Sequence, residues 1–215
     1  MVKKFFVILS SILVLLFIIA GVHMLEFHNK FKNYLKTTYP NEKFSVGMVK
    51  YDLIINNIYY SSVYCLEDGT KFYIRSTKSG EISEEYLQTL NMSRLNKLLE
   101  ECLKKEKIKD SINNIRAGVD KTSESNTDKN IDYKNIDKTV FVVFNENRFE
   151  NNQKFAEAIY ELIKVLKNNE IKINSIVFWY NDEEKAYEVR LENEDINRDV
   201  NKIYEKIEVI KQINN

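Results

Sequence analysis

The segment Phe5–Leu25 restricts this chain more than any other, because it is strongly apolar and carries no charge as far as Val22. A helix rises about 1.5 Å per residue, so this segment is roughly 30 Å long as a helix, which matches the thickness of a bilayer core. The sequence therefore predicts an N-terminal membrane anchor at residues 1–26, with the membrane contact made through residues 5–25.

Two other interpretations of this segment fit its sequence less well. A core helix of a soluble domain would need a polar face, and the segment has none. A cleaved signal peptide would need small residues at the −3 and −1 positions of its cleavage site. Ala20 and Gly21 are small, but Ile18 and Val22 do not fit the two frames that these residues offer. We predict an uncleaved transmembrane helix, and cleavage stays open as the alternative.

The orientation of the anchor follows from the flanking charges. Lys3 and Lys4 lie in front of the apolar segment, whereas three lysines between residues 30 and 36 lie behind it. The first flank usually dominates, and long domains are translocated largely regardless of their charge. We predict a single-pass protein of the cell membrane with a cytoplasmic N-terminus and with residues 27–215 in the extracytoplasmic space.

Beyond the anchor, the pattern predicts an α+β fold. Apolar residues recur at helical spacing from Glu26 to Thr38, which continues the anchor helix as far as the break at Tyr39-Pro40. Strand patterns follow, and Asp68-Gly69 between two apolar runs predicts a β-hairpin. Gly47 inside a strand pattern predicts a bulge or a close backbone contact. Ile196–Ile210 has isoleucine or valine alternating four and three residues apart, which predicts a closing helix.

The domain organisation is predicted from these elements and from a polar stretch in the middle of the chain. We expect two small α+β domains, each with helices packed on an antiparallel sheet. The predicted divisions are the anchor at 1–26, a first domain at 27–119, a polar linker at 120–138 and a second domain at 139–215.

Several classes of function are disfavoured by composition. The chain has 32 basic and 32 acidic residues, so its neutral balance predicts no nucleic-acid partner. The two histidines, His23 and His28, both lie at the end of the anchor, which removes histidine-based catalytic arrangements and histidine-ligated metal sites from the rest of the chain. No phosphate-binding glycine motif is present. We therefore predict no catalytic residue, no metal site, no cofactor and no enzymatic activity.

The two cysteines leave two interpretations open. Cys65 falls on a predicted strand and Cys102 on a predicted helix. They are either two ordinary buried thiols or one disulfide bridge, and too few for a disulfide framework.

Tyrosines on the predicted hairpin are the positive signal for binding. Tyr59, Tyr60, Tyr64 and Tyr73 are crowded there, and alternation places Tyr60 and Tyr64 on one face and Tyr59 on the other. Tyrosine provides rigid, amphipathic contact area, so these four residues are the predicted binding residues. The alternative is that they are packing and strand-surface residues. Phe178-Trp179-Tyr180 is a second candidate with the same alternative.

The segment YLKTTYPNEKFSVGMVKYD, the tyrosine-rich strand and LEDGTKFYIRSTKSGEISEEYL resemble small membrane-anchored Firmicutes proteins with YfjL-like domains, which are PepSY-like in layout. The part from Thr139 onward is similar to the second domain of that family. The resemblance implies an uncharacterised extracytoplasmic protein, and it transfers no catalytic residue because the family has no assigned activity.

We predict a non-enzymatic, membrane-anchored module that binds a protein or peptide of the cell envelope. The alternatives are an inhibitor or regulator of an envelope protease, and an enzyme with an unrecognised site.

Overall fold

The computed structural model describes residues 2–53, 57–119, 129 and 131–212. The chain divides into two compact units, residues 1–89 and residues 90–215. The fold is α+β with an apolar N-terminal helix and largely antiparallel sheets, as the sequence predicts, except for one parallel strand pair in the second sheet.

The first unit contains a long helix and a five-stranded sheet. Its elements are α1 (Val2–Thr38), β1 (Phe44–Val46), β2 (Lys50–Asp52), β3 (Ile58–Cys65), β4 (Lys71–Thr77) and β5 (Ile82–Glu84). The strand order is β1-β3-β4-β5, β2 also pairs with β3, and every pair is antiparallel. Helix α2 (Tyr86–Leu103) begins in this unit and continues into the next.

The continuation of the anchor helix as far as the Tyr-Pro pair is confirmed, because α1 runs without a break to Thr38. Within the described chain it is the helix that is long and apolar enough to cross a membrane, judged by its length and composition. Its apolar side chains from Ile12 to Leu25 are mostly exposed, whereas Phe31 and Leu35 are buried in the first unit. The N-terminal part of this helix is therefore apolar and exposed, whereas its C-terminal part belongs to the core of the first unit.

The predicted close contact at Gly47 is also confirmed. Gly47 lies between β1 and β2, and its amide donates a hydrogen bond to the Ser62 carbonyl oxygen at 2.9 Å. A Cβ at this position would lie 3.0 Å from that oxygen. Only a residue without a side chain allows the edge of the sheet to approach β3 so closely.

The second unit contains a second five-stranded sheet and the larger core. Its elements are the rest of α2, a 3₁₀ turn (Lys107–Ser111), β6 (Ile112–Val119), β7 (Lys138–Phe144), α3 (Asn152–Asn168), β8 (Ser175–Asn181), β9 (Lys185–Glu192), a 3₁₀ turn (Asp195–Asn197), α4 (Val200–Tyr204) and β10 (Glu208–Gln212). The strand order is β10-β9-β8-β7-β6, with β7 and β8 parallel and the other pairs antiparallel. The buried stripe of α3 packs on the apolar faces of these strands.

Two segments differ from the sequence prediction. The predicted first domain at 27–119 includes residues 112–119, but these form β6, which pairs with β7 in the second sheet. The predicted closing helix is wrong beyond Tyr204, because α4 ends there and residues 208–212 form β10 on the edge of β9. The β-branched residues Val209 and Ile210 favour a strand, and the open edge of β9 provides its partner. Most of the predicted linker, at 120–128 and at 130, lies outside the described residues.

Candidate functional site

The outer face of the first sheet carries three of the four tyrosines predicted to bind. Pairing of β3 with β4 places Tyr60 opposite Arg75 and Tyr64 opposite Lys71, and Tyr73 lies between these two pairs. Since side chains alternate along a strand, the three tyrosines point to the same side of the sheet. Lys50 on β2 lies opposite Tyr60 and joins this side. We call this set, Tyr60, Tyr64, Tyr73, Lys50, Lys71 and Arg75, the tyrosine face.

The tyrosine face is accessible. Tyr64 and Tyr73 are each 47% exposed, and Tyr60 is half-buried. Tyr60 and Tyr64 are about 13 Å apart along their strand, at roughly 3.3 Å per residue, with Tyr73 beside the midpoint on the next strand. This spacing offers aromatic contacts along the length of a short extended segment.

Basic residues alternate with the tyrosines on this face. Lys50 and Lys71 are exposed. Arg75 forms an ion pair with Glu85 at 3.1 Å, and both side chains remain partly exposed. An ion pair so accessible to water contributes little to stability, typically about 0–1 kcal/mol, so Arg75 is free to exchange its partner at small cost.

The backbone under the tyrosine face is fixed by the predicted hairpin turn, which is confirmed. The amide of Cys65 donates to the Thr70 carbonyl at 2.9 Å, and Gly69 adopts a φ of 77°. Glycine reaches this left-handed conformation without a steric penalty. The Asp68 carboxylate accepts a hydrogen bond from the Thr70 amide at 2.9 Å. The register of β3 with β4, and with it the arrangement of the tyrosines, follows from this turn.

The structure places Tyr59, the fourth predicted binding residue, apart from the other three. Tyr59 lies on the opposite side of β3, where its ring stacks on Phe27 of α1 with the centroids 3.7 Å apart and the planes at 14°. The Tyr51 ring also packs against Tyr59, tilted by 36° at a centroid distance of 4.7 Å. Tyr59 therefore packs the helix on the sheet and does not contribute to the tyrosine face.

A hydrogen-bonded network inside the first unit was not predicted from the sequence. Tyr86, which is fully buried, donates its hydroxyl proton to the Asp68 carboxylate at 2.6 Å. Tyr39 donates in the same way to Glu84 at 2.6 Å. Burial raises the pKa of both hydroxyls, and the neighbouring carboxylates raise them further. These tyrosines are thus neutral donors that hold turns in place; the signal was the Tyr-Pro pair, which marked a turn without revealing its partner.

One group in the described chain has the residue types of a metal site, formed by Glu42, Cys65 and Glu67. The Cys65 sulfur lies 3.5 Å from a Glu67 oxygen and 3.9 Å from a Glu42 oxygen. Burial raises the pKa of the Cys65 thiol, so it stays protonated at neutral pH and donates to these carboxylates. Since the thiolate is the form that binds metals and attacks electrophiles, this arrangement is that of a packed thiol. Cys65 and Cys102 are both free thiols.

The second unit carries a smaller aromatic surface at Trp179. Of the three residues of the second candidate, Phe178 and Tyr180 are buried in the core, whereas Trp179 faces outward and is half-buried. Its ring stacks on Phe141 with the centroids 5.7 Å apart, and its Nε1 donates to Glu188 at 2.7 Å. This pairing satisfies the indole without a ligand, so the tyrosine face remains the better candidate.

Comparisons with known proteins assign no family. No protein-family model matches the chain, and no curated protein matches it. A crystal structure of a DUF5037 family protein from Ruminococcus gnavus is similar over 72% of this chain and 73% of that chain, at 14% identity and a TM-score of 0.35. That likeness is too distant to assign a fold family or a function.

Proposed function

We propose that this protein is a membrane-anchored, extracytoplasmic and non-enzymatic module that binds an envelope protein or peptide through its tyrosine face. The observation that carries the proposal is the placement of three tyrosines and three basic residues on the open side of a sheet whose other side is packed. We also propose that the protein is a member of the YfjL-like, PepSY-like family that its sequence resembles.

Support for the anchor comes from the exposed apolar part of α1. Large side chains such as Ile12, Phe17 and Leu25 have half or more of their surface exposed, with no protein around them. Leaving apolar surface in water costs about 25 cal/mol per Å², and a lipid bilayer removes this cost along the whole segment. The lysines at residues 3 and 4 support the orientation with the two units outside the cytoplasm.

Support for the binding face comes from the chemistry of its residues. Tyrosine and arginine are enriched among the residues that dominate binding energy at interfaces. Tyrosine has few rotatable bonds, so ordering it on a partner costs little entropy. The strand backbone beneath is held on both sides by pairing, so the face is already in place before binding.

The test is cross-linking in intact cells of the native host, followed by substitution of the face. We expect one discrete cross-linked partner with the native chain. Tyr64→Ser combined with Tyr73→Ser should abolish its capture, because truncation of a tyrosine that is a binding hot spot costs about 2 kcal/mol or more. Tyr60→Ser combined with Tyr64→Ser should do the same.

A matched control comes from the second unit. Tyr160 and Tyr204 are 43% and 46% exposed, close to the values of Tyr64 and Tyr73. Tyr160→Ser combined with Tyr204→Ser should leave capture unchanged. If the tyrosine-face variants still melt cooperatively and still capture the same partner as the native chain, the assignment of the face is wrong.

A further inference from the structure

The geometry points to a second membrane contact, made by the end of the first sheet that lies beside Phe27. We propose that Leu53 inserts at the hydrocarbon boundary of the bilayer that holds α1, with the packed rings of Phe27, Tyr59 and Tyr51 at the level of the headgroups. The inference rests on the proposed anchoring of α1 and goes beyond it, because it assigns the bilayer surface as a ligand of the β-sheet.

Helix α1 and strand β3 run side by side in the same direction. Phe27 stacks on Tyr59 at one end, and Tyr39 packs against Phe44, the pairing partner of Cys65, at the other end. From Phe27 to Tyr39 the helix advances about 18 Å at 1.5 Å per residue. From Tyr59 to Cys65 the strand advances about 20 Å at 3.3 Å per residue. The two lengths agree, so levels on the helix correspond to levels on the sheet.

Leu53 lies at the height of the end of the apolar segment of α1. Tyr51 pairs with Tyr59 and so lies at the level of Phe27. Leu53 follows the last residue of β2, two residues beyond Tyr51 and toward the apolar part of α1, so it lies at most about 7 Å further at the rise of a strand. On the helix this is the level of Val22 and His23, where the uncharged segment ends. Leu53 is also 73% exposed, so its side chain is available to lipid.

The residues around Leu53 are of the types found at membrane interfaces. Tyrosine rings are enriched at the headgroup level of membranes, and here the rings of Phe27, Tyr59 and Tyr51 pack together at that level. Lys78 lies 5.5 Å from the Tyr51 ring and is exposed. Lys30 donates to the Gly80 carbonyl at 3.1 Å, which holds the turn between β4 and β5 at the same end.

Acidic residues decide which interaction dominates. Glu26, Asp52 and Glu81 lie at this end together with Lys30 and Lys78, so the charges are close to balanced, with an excess of one negative charge. Attraction to anionic lipid then contributes little, and contact depends on Leu53 and on the aromatic rings. We therefore expect the contact in bilayers of phosphatidylcholine alone, and the same contact after phosphatidylglycerol is added.

The test uses the full chain in vesicles with a single tryptophan as a depth reporter. Trp179 is the sole native tryptophan, so Trp179→Phe provides a silent background. Leu53→Trp reports on the proposed contact. Leu66→Trp is the matched control, because Leu66 is 58% exposed but follows the opposite end of β3. Leu16→Trp reports on the anchor itself.

Brominated lipids quench tryptophan only where the ring reaches the bilayer. We expect Leu53→Trp to lose most of its emission and to shift to the blue, with bromines near the headgroup more effective than deeper ones. Leu66→Trp should keep its emission, and Leu16→Trp should be quenched by the deeper bromines. Matching circular dichroism melts for the three variants establish that each is folded.

The outcomes separate the two claims. If Leu16→Trp is quenched but Leu53→Trp is as unquenched as Leu66→Trp, the anchor stands and the second contact is refuted. Equal quenching of Leu53→Trp and Leu66→Trp also refutes it, because the sheet then does not contact the bilayer end-on. Absence of quenching at Leu16→Trp refutes the anchor, and the second contact with it.

Discussion

Phe27 and Tyr59 stack face to face with their ring centroids 3.7 Å apart, and this pair joins α1 to the first sheet only two residues beyond the apolar segment. His28, the next residue of the helix, contacts the Gly47 carbonyl through Nδ1 at 3.1 Å. The sheet is thus fixed to the helix where it leaves the apolar segment, with no linker between them. If α1 spans the membrane as proposed, the tyrosine face is held at a set height above the bilayer.

Phe27→Ala is expected to loosen this junction. Removing a half-buried ring that stacks on one partner should cost about 2 kcal/mol in the free energy of local unfolding. Hydrogen exchange of the β2 and β3 amides should accelerate by roughly thirtyfold in response. Phe17→Ala, in the exposed apolar part of α1, should leave those amides unchanged; equal acceleration in both variants would contradict the role of the stack.

Gly47→Ala is expected to destabilise the first sheet. The added Cβ would lie 3.0 Å from the Ser62 carbonyl oxygen and 3.1 Å from its hydroxyl, so the edge of the sheet must move. We expect a loss of about 1–3 kcal/mol in the free energy of unfolding, measured in urea. Gly21→Ala is the control, because its added Cβ would meet no atom within 4 Å other than those of its chain neighbours and its own helix backbone. A native-like stability for Gly47→Ala would show that the contact is not close.

Tyr86→Phe is expected to weaken the first unit and to change its response to acid. The substitution removes a hydrogen bond of 2.6 Å to the Asp68 carboxylate, which should cost about 2 kcal/mol at neutral pH. Burial acts to raise the pKa of Asp68, but hydrogen bonds from Tyr86, Thr70 and Cys65 outweigh it and leave that pKa below its usual value.

The sign of the pH effect follows from this depressed pKa. Asp68 contributes stability that is present above the carboxyl's unfolded pKa, about 3.9, and lost as the pH falls through the folded pKa. The native protein should therefore lose stability below about pH 4, and Tyr86→Phe should lose less over the same range because part of the contribution is already gone. Hydrogen exchange of the β3 and β4 amides between pH 5 and pH 3 measures this loss of stability. The exposed Tyr160→Phe is the control. An identical acid response in Tyr86→Phe and the native chain would contradict the network.

Lys138 is expected to make the second unit more stable at alkaline pH. This lysine is almost fully buried, and its Nζ donates to the carbonyl oxygens of Lys134 at 3.0 Å and Lys172 at 2.6 Å. Burial, with a smaller effect from the charge of Lys172, lowers the pKa of Lys138 to about 8. Between that value and the unfolded pKa of about 10.4, the unfolded chain binds more protons, so the free energy of unfolding rises with pH.

The measurement is urea unfolding followed by the fluorescence of Trp179, which lies in the same unit, from pH 7 to pH 9.5. The rise should approach about 1.4 kcal/mol per pH unit above pH 8 at its steepest. Lys138→Met should remove the rise, whereas Lys202→Met, at an exposed position, should keep it. A native curve that stays flat or falls across this range would contradict the burial of Lys138.

Local sequence patterns were sufficient to predict the long helix and the hairpin of the first unit. The uncharged run predicts the helix, Tyr39-Pro40 predicts its end, and Asp68-Gly69 predicts the hairpin whose register puts Tyr60, Tyr64 and Tyr73 on one side. Each of these signals acts within a few residues, where steric limits on the backbone dominate.

Strand pairings and side-chain contacts between residues distant in the sequence could not be predicted. The strand β6 joins β7 across the polar stretch at 120–137, and no local pattern shows that pairing. Ile210 continues the helical spacing of Ile203 and Ile207, yet residues 208–212 form β10 because β9 offers an open edge. The separation of Tyr59 from the tyrosine face required Phe27 as its partner, and alternation alone could place Tyr59 only on the other side of the strand.

Site-specific photo-crosslinking in intact cells is the sharpest test of whether the tyrosine face binds a partner in the envelope. A photoreactive phenylalanine analogue replaces Tyr64 or Tyr73 on the face, and Tyr160 or Tyr204 as controls of similar exposure. We expect the same discrete adduct from both positions on the face and none from the two controls. The same adducts from all four positions, or none from the face in a folded and membrane-inserted chain, would contradict it.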